Sequence, residues 1–286
     1  MIDFLSAHPV EIGHLFPGLS PALGPTLGSG REPSTWRGIK MLSLEKLKVY
    51  DRALGSVSRL AQLAAPWDKR HAVVDQLLRA LESVVLNIAE GARLRNSPQR
   101  QHLVDYALGS ALECAACLDI AQLKHWLAQA EILPHKKDLC EVVKMLFGLR
   151  RSWAAAEFRE EPAGYDAQEP WLFGHERLEA YQYALQVVEW SNALPGGAEL
   201  STRWLRQIDK AATGGVLNIA EGNGRRIETD RRKFLETAES SLIKAVSYIH
   251  LCQRTGEVAP EAAQMGLSLL DRAALLVRGL IGSTRS

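Results

Sequence analysis

Several features that mark common protein classes are scarce in this sequence. Four cysteines in 286 residues are too few for a disulfide framework, and they favour a reducing compartment. No apolar run reaches the roughly 18–20 residues that a membrane helix needs. The N-terminal stretch MIDFLSAHPVEIG lacks the basic start and apolar core of a signal peptide. We therefore expect a cytoplasmic protein without a membrane partner.

Strong charge and catalytic patterns are scarce as well. The net charge is only +1, whereas extensive phosphate binding usually needs a basic surplus. We find no Ser/His/Asp constellation, no glycine-rich phosphate loop and no cluster of metal ligands, so we expect no enzyme, cofactor or metal site. Cys114 and Cys117 have CxxC spacing, but they lie on an apolar helical stripe and are expected to be buried structural residues.

What the sequence does contain is a repeat. The hexapeptide Leu-Asn-Ile-Ala-Glu-Gly occurs at residues 86–91 and again at 217–222. The same offset of 131 residues runs without a gap from about residue 44 to 117. It also aligns identical residues outside the hexapeptide: Leu47 with Leu178, Tyr50 with Tyr181, Leu54 with Leu185, Gln76 with Gln207, Ala107 with Ala238 and Ser110 with Ser241. Self-similarity of this kind indicates an internal duplication.

The duplication divides the chain into four parts. Residues 1–41 are rich in glycine and proline and are expected to form a loosely docked or disordered arm, or an arm that binds a partner. Residues 42–155 are copy one and residues 175–286 are copy two. Residues 156–174 carry five acidic residues against one basic residue and are expected to form a linker.

Each copy is predicted to form four helices. In copy one, Ser43 is expected to cap a helix over about 44–65, and Asp68 a second helix that Gly91 ends. Ser97-Pro98 would open the third helix, and the fourth would follow Pro134 up to about Trp153. No strand-like alternation is evident. The predicted fold is all-α, with two tandem four-helix bundles of antiparallel, up-and-down helices.

The repeated hexapeptide holds residues that a bundle core does not demand. Ile88 falls on the apolar face of the second helix, but Asn87 and Glu90 do not. In the structural interpretation, the asparagine bonds a neighbouring helix and the glutamate pairs with an arginine that follows it. In the functional interpretation, this corner is an assembly or ligand surface. The residues concerned are Asn87, Glu90 and Gly91 in copy one and Asn218, Glu221 and Gly222 in copy two.

Basic residues follow both corners. Residues 225–233 carry five basic and two acidic side chains, which is typical of a solvated helix start or of a patch that contacts phosphate. The candidate residues for binding a partner or RNA are Arg225, Arg226, Arg231, Arg232 and Lys233 in copy two, and Arg93, Arg95 and Arg100 in copy one.

These corners carry a resemblance to a known family. The sequence N-I-A-E-G, followed by arginines, a polar helix start and F/L-x-x-x-A-x-x-S at 103–110 and 234–241, resembles the bacterial four helix bundle proteins. That family is known from the 23S ribosomal RNA intervening-sequence proteins, and the accessory variability determinants of diversity-generating retroelements are similar to it. Copy two matches the motif better than copy one, where Ala92, Leu94 and Leu103 depart from it.

The resemblance implies a non-enzymatic, self-assembling protein. Members of this family are single-copy bundles, commonly pentameric, without known catalytic residues, and the basic retroelement members bind a reverse transcriptase and its RNA. This chain departs from them because it is duplicated and nearly neutral. It would act as a scaffold or adaptor that pairs with itself, either as a homo-oligomer or as an intramolecular pseudo-dimer, and that binds reverse transcriptase, RNA or both.

A ribonuclease is the alternative function. Arg95, Asn96 and His102 resemble the Arg-(x4–6)-His signature of the HEPN ribonucleases, in which the arginine would bind phosphate and the histidine would move protons. Copy two has Arg226 and Lys233 at the positions of Arg95 and His102, so the histidine is not repeated.

Overall fold

A computed structural model describes residues 44, 47–94, 99–153 and 172–284. The predicted N-terminal arm and residues 156–171 of the predicted linker lie outside this part of the chain. The helices of copy one are α1 Lys48–Ala64, α2 Ala72–Arg93, α3 Gln99–Leu123 and α4 Gln129–Trp153. Those of copy two are α5 Glu179–Ala193, α6 Arg203–Gly224, α7 Glu228–Thr255 and α8 Pro260–Ser283, preceded by a short 3-10 helix, Gly174–Arg177. No strand occurs among these residues, so the predicted all-α class is confirmed.

Each copy forms a four-helix bundle, as the repeat predicts. In copy one, α1 and α3 each pack against both α2 and α4. In copy two, α5 and α7 each pack against both α6 and α8. Apart from α3, the helices are amphipathic, and their apolar sides, such as Val74, Leu77 and Leu81 of α2, meet in the bundle core.

Several helix boundaries differ from the predicted ones. The carboxylate of Asp68 accepts hydrogen bonds from Arg70 and does not cap α2, which begins at Ala72. Helix α4 begins before Pro134, which lies inside it, because the Glu131 side chain accepts a hydrogen bond from the Ala128 amide and fixes an earlier start. Helix α1 begins at Lys48, and the predicted cap Ser43 lies outside the described residues. Phe173, assigned to the linker from the sequence, is buried in the body.

Helix α3 is buried on nearly all sides. Cys114 and Cys117 are buried, as predicted, and so are Ala107 and Ser110 on the same side of the helix. The opposite side of α3 is also buried, because α6 of copy two packs against it. From Leu42 to Ser286 the chain forms one compact unit that contains both bundles. No helix in the described ranges is both long and apolar enough to cross a bilayer.

Candidate functional site between the two copies

The glycine of the repeated hexapeptide lies in tightly packed surroundings in both copies. A Cβ at Gly91 would lie 3.6 Å from the carbonyl oxygen of Arg100, and a Cβ at Gly222 would lie 3.5 Å from that of Arg231. Arg100 and Arg231 occupy equivalent positions in the two copies. These are ordinary contact distances, but a Cβ would also lie 3.0 Å from the Trp153 ring at Gly91 and 3.1 Å from Phe234 Cβ at Gly222, so a side chain at either position would force its neighbour to shift. Close packing therefore explains why both copies keep this glycine.

The asparagine of the hexapeptide bonds its own helix. Asn87 Nδ2 donates to the Ser83 carbonyl oxygen at 2.8 Å, and Asn218 Nδ2 donates to that of Gly214 at 2.7 Å. In copy one the Ser83 hydroxyl also lies 2.7 Å from the Ser110 hydroxyl, which connects α2 to α3. The predicted bond to a neighbouring helix is thus made only indirectly, through Ser83.

The glutamate has different surroundings in the two copies. Glu221 accepts a hydrogen bond from the guanidinium of Arg225, as the structural interpretation expects. Arg225 Nη1 also donates to the carbonyl oxygen of Asp105 in α3 at 3.2 Å. Its guanidinium lies 4.7 Å from the centre of the Tyr106 ring, so this corner of copy two contacts copy one. Copy one has Leu94 where copy two has Arg225, and Glu90 is exposed.

The candidate basic residues lie in different surroundings. Arg225 is only 4% exposed, so we reassign it to the contact between the copies. Arg226, Arg232, Lys233 and Arg93 are exposed, Arg231 and Arg100 are half-buried, and Arg95 lies outside the described residues. Arg232 pairs with Glu236, and Arg100 donates to the Gly91 carbonyl oxygen and stacks on Trp153. The exposed basic group in copy two is therefore Arg226, Arg232 and Lys233.

The two copies meet through non-equivalent surfaces. Helix α3, the third helix of copy one, packs on α6, the second helix of copy two. A Cβ at Gly224 would lie 2.6 Å from Leu112 Cδ1 and 3.4 Å from Gly109 Cα, so these helices nearly touch at this end. At the other end Lys124 follows α3 and binds Asp209 near the start of α6. The two helices therefore run antiparallel, and the interface is heterologous.

Burial of equivalent residues follows this interface. Leu217 in α6 is 3% exposed, whereas the identical residue Leu86 in α2 is 57% exposed. Leu112 in α3 is 3% exposed, whereas its equivalent Ile243 in α7 is 47% exposed. The surfaces of α3 and α6 that face each other thus have exposed counterparts on α7 and α2.

A buried ion pair closes one end of the interface. Lys124 Nζ lies 2.6 Å from Asp209 Oδ1, and both side chains are almost fully buried. Burial alone raises the pKa of the Asp209 carboxyl, but His71 and Lys124 outweigh burial and hold that pKa below its usual value. Asp209 Oδ2 also accepts the Ala72 amide at 3.2 Å, so copy two caps the start of α2 in copy one.

A second polar cluster joins the copies near the C-terminal end of α3. Lys136 of α4 donates to Asp119 Oδ1 of α3 at 2.6 Å and also to Glu176 Oε1 of the 3-10 helix. Tyr181 of α5 donates to Asp119 Oδ2 at 2.8 Å. Burial acts to lower the pKa of Lys136, but the two carboxylates outweigh it and raise that pKa. The ammonium therefore stays charged between two carboxylates, one from each copy.

His175 lies beside this cluster and is fully buried. Its ring stacks on Phe173 and meets the edge of Tyr181. Burial, with the nearby charge of Lys136, lowers the pKa of His175 to about 3, so the imidazole is neutral at physiological pH. Ligand-type atoms of Asp119, His175 and Glu176 all lie within 4.8 Å of one another.

A cavity opens next to the cluster. Its volume is about 260 Å³, and it is lined by the charged residues Asp119, Lys136 and Glu176 together with glutamines and aliphatic residues of both copies.

Sequence reasoning missed both polar clusters. One signal was present for Asp209, since copy one has Leu78 at that position, and a charge that replaces an apolar residue on an aligned helix suggests a new contact. His175 carried a similar signal, since the same offset aligns it with Leu44, but it lies at the predicted linker boundary; Glu176 aligns with the identical Glu45 and carried none. His102, the histidine of the ribonuclease alternative, is exposed in the first turn of α3, and Arg95 lies outside the described residues.

Comparison with known proteins gives one family. A family model described as 23S rRNA-intervening sequence protein matches residues 45–148 and, a second time, residues 177–279. No curated protein and no solved structure matches the chain. The two matched ranges coincide with the two bundles and together cover more than half of the sequence. The chain therefore belongs to the 23S rRNA-intervening sequence protein family and carries the family's helical bundle in tandem.

Proposed function

We propose that this protein is a non-enzymatic scaffold that associates with further copies of itself and binds a partner. The observation that carries the proposal is the heterologous contact of α3 with α6. A heterologous interface leaves one unused half at each end of the assembly, and these halves can bind further copies. Here the unused halves belong to α7 in copy two and α2 in copy one.

The unused halves have the exposure expected of binding surfaces. The α7 face, defined by Ser240, Ile243, Ser247 and Leu251, is exposed along its length. The α2 face, defined by Leu78, Glu82, Leu86 and Glu90, is also exposed. Each presents two large aliphatic side chains that would be buried by contact with another chain.

Contact between chains would be weaker than contact within the chain. The α2 face ends in Arg93 and Leu94, where α6 has Gly224 and Arg225. It therefore lacks both the glycine that allows close approach and the arginine that reaches α3. We expect association that depends on protein concentration rather than a permanent oligomer.

Mass measurement in solution tests self-association. Native mass spectrometry or light scattering across a concentration series should show species larger than one chain. The double variant Ile243→Glu/Leu251→Glu should shift the distribution to single chains, because each glutamate would have to be desolvated in the contact. The matched control Met265→Glu/Leu275→Glu changes two exposed aliphatic residues of α8 and should leave the distribution unchanged. A wild type that is monomeric at all concentrations contradicts this part of the proposal.

The partner we propose is a reverse transcriptase with its RNA, as for the similar retroelement accessory proteins. Exposed Arg226, Arg232 and Lys233 support this proposal because they lie together around the start of α7. Lys233 pairs weakly with Asp230 at 3.5 Å, so little energy is lost when it turns to a phosphate.

RNA binding is tested by fluorescence anisotropy with single-stranded RNA. Affinity should fall with salt, with a log–log slope of roughly −0.7 for each phosphate contact. The variant Arg226→Glu/Arg232→Glu/Lys233→Glu should weaken binding and flatten this slope. Reversal of Arg79 and Arg272, exposed arginines that also pair with acidic residues, is the matched control. Equal affinity of all three proteins would count against the basic group.

The same RNA serves to test the absence of catalysis. A scaffold leaves RNA intact over long incubation. Cleavage by the wild type that disappears in His102→Ala would support the ribonuclease alternative and overturn the non-enzymatic part of the proposal.

A further inference from the structure

The described residues do not satisfy the hydrogen-bonding needs of the buried His175 ring. The side chain is fully buried, and neither ring nitrogen has a hydrogen-bond partner among the described residues. Stacking on Phe173 and Tyr181 accounts for the shape of the ring but leaves both nitrogens unsatisfied. Buried polar atoms are nearly always paired with protein, water or an ion, so this imidazole lacks a partner that its surroundings should supply.

The neighbouring carboxylates are oriented like metal ligands. Asp119 Oδ2 accepts the Tyr181 hydroxyl at 2.8 Å, and Glu176 Oε2 accepts the Phe173 amide at 3.0 Å. These bonds fix both carboxylates and leave Oδ1 and Oε1 directed at one position, which the Lys136 ammonium holds. Hydrogen bonds that fix the second oxygen are a regular feature of carboxylates that bind metals.

We propose that Asp119, His175 and Glu176 form a binding site for a divalent transition-metal ion that bridges the two copies. Their ligand atoms lie within 4.8 Å of one another, so small side-chain rotations bring all three onto one ion with bonds of about 2.0–2.2 Å. One nitrogen and two carboxylate oxygens suit Zn²⁺ and similar ions better than Mg²⁺.

Lys136 occupies the cation position when no metal is bound. Its ammonium satisfies the two carboxylates but gives nothing to the imidazole, because an ammonium has no lone-pair acceptor to offer and the ring nitrogens make no bond with it. The adjacent cavity of about 260 Å³, which Lys136 lines, gives the ammonium space to withdraw when the ion enters. The exchange replaces one cation with another and needs no covalent step.

Binding would connect elements that lie far apart in the sequence. Asp119 lies on α3 of copy one, and His175 and Glu176 lie on the 3-10 helix of copy two. An ion held by all three resists separation of the bundles, so occupancy should raise the thermal midpoint of the whole chain.

The experiment uses full-length protein stripped with a chelator and titrated with ZnCl₂, with MgCl₂ in parallel. Calorimetry and elemental analysis should show one Zn²⁺ per chain, with a rise in thermal midpoint. His175→Phe keeps the aromatic stacking and should weaken Zn²⁺ binding about tenfold or more. Lys136→Met removes the competing charge, so it should bind Zn²⁺ about tenfold or more tightly and regain with Zn²⁺ the stability that it loses without it.

The control and the adverse results are specific. His102→Ala/His250→Ala removes two exposed histidines and should bind Zn²⁺ like the wild type, which excludes adventitious surface binding. Absence of Zn²⁺ binding at about 1 mM in both the wild type and Lys136→Met overturns the proposal. Undiminished binding in His175→Phe, or Mg²⁺ binding as tight as that of Zn²⁺, also overturns it. If His175→Phe does not fold, Lys136→Met still decides between a metal site and a purely structural ion pair.

Discussion

Arg225 shows how one side chain changes role when two copies of a fold share a chain. In sequence it belongs to a basic stretch and suggests a contact with phosphate. In the structure its guanidinium lies between the rings of Tyr106 and Phe234 and is bonded to Glu221. Burial raises the pKa of Glu221 and outweighs the opposing effect of Arg225. The arginine thus limits this rise and supplies the hydrogen-bond donor that a buried carboxyl needs where the two bundles meet.

Replacement of Arg225 by alanine should destabilise the protein by about 3 kcal/mol, because Glu221 would remain buried without its partner. Urea denaturation followed by circular dichroism measures this change. Arg226→Ala alters the adjacent exposed arginine and should change stability by no more than about 0.5 kcal/mol. The double variant Arg225→Ala/Glu221→Ala should recover part of the loss. An Arg225→Ala protein as stable as Arg226→Ala would show that the guanidinium contacts contribute little.

At the scale of the helices, the positions of the eight helices could be predicted largely from periodicity. The contact of α3 with α6, which joins the two copies, could not. Apolar spacing and the repeat predict eight helices and their order, because each helix needs one buried face. The starts of α2 and α4 are less predictable, since Asp209 from copy two caps α2 and Glu131 fixes α4 ahead of Pro134. Leu86 and Leu217 are identical in sequence, so their opposite burial follows only from tertiary contacts.

The contact of α3 with α6 also contains a carboxyl that is not paired with a base. Glu113 lies on α3, and burial, together with the charge of Glu221, raises its pKa to about 8. In the unfolded chain an ordinary glutamate loses its proton near pH 4.3. The folded protein therefore holds one more proton than the unfolded chain between these values. Stability from this group is complete below the lower pKa and is lost as the pH rises through about 8.

We expect the free energy of unfolding to fall between pH 5 and pH 9 by roughly 2 kcal/mol through Glu113. This estimate is reduced from about 1.4 kcal/mol per pKa unit because the side chain is partly exposed. Glu113→Gln removes the titrating group, so its stability should fall less over the same range. Glu82→Gln, an exposed change on α2, should follow the wild type. Parallel pH profiles for wild type and Glu113→Gln would contradict the raised pKa.

In the whole molecule, the two copies are not related by symmetry. Their arrangement produces one contact between copies, that of α3 with α6, and leaves the α2 face and the α7 face exposed. Fusion of two copies would allow a symmetric pair, but α3 packs on α6 and the equivalent pair α2 with α7 does not form. Charges specific to one copy stabilise this arrangement. Copy two has Asp209 at the position where copy one has Leu78, and this aspartate forms an ion pair with Lys124 of copy one. The family match identifies the bundle in each copy, while these substitutions determine which faces remain available.

The contact of α3 with α6 should form even when the two copies are separate polypeptides. Residues 42–155 and 172–286, produced together, should purify as a one-to-one complex, because α3 and α6 expose apolar surface when apart. Leu112→Glu in copy one should abolish the complex, since Leu112 is 3% exposed and a Cβ at Gly224 would lie 2.6 Å from its Cδ1. Ile243→Glu, the equivalent change on the exposed α7 face, should leave the complex intact. Each polypeptide produced alone should aggregate or self-associate. Two soluble monomers that do not bind each other would show that the linker, and not the interface, holds the bundles together.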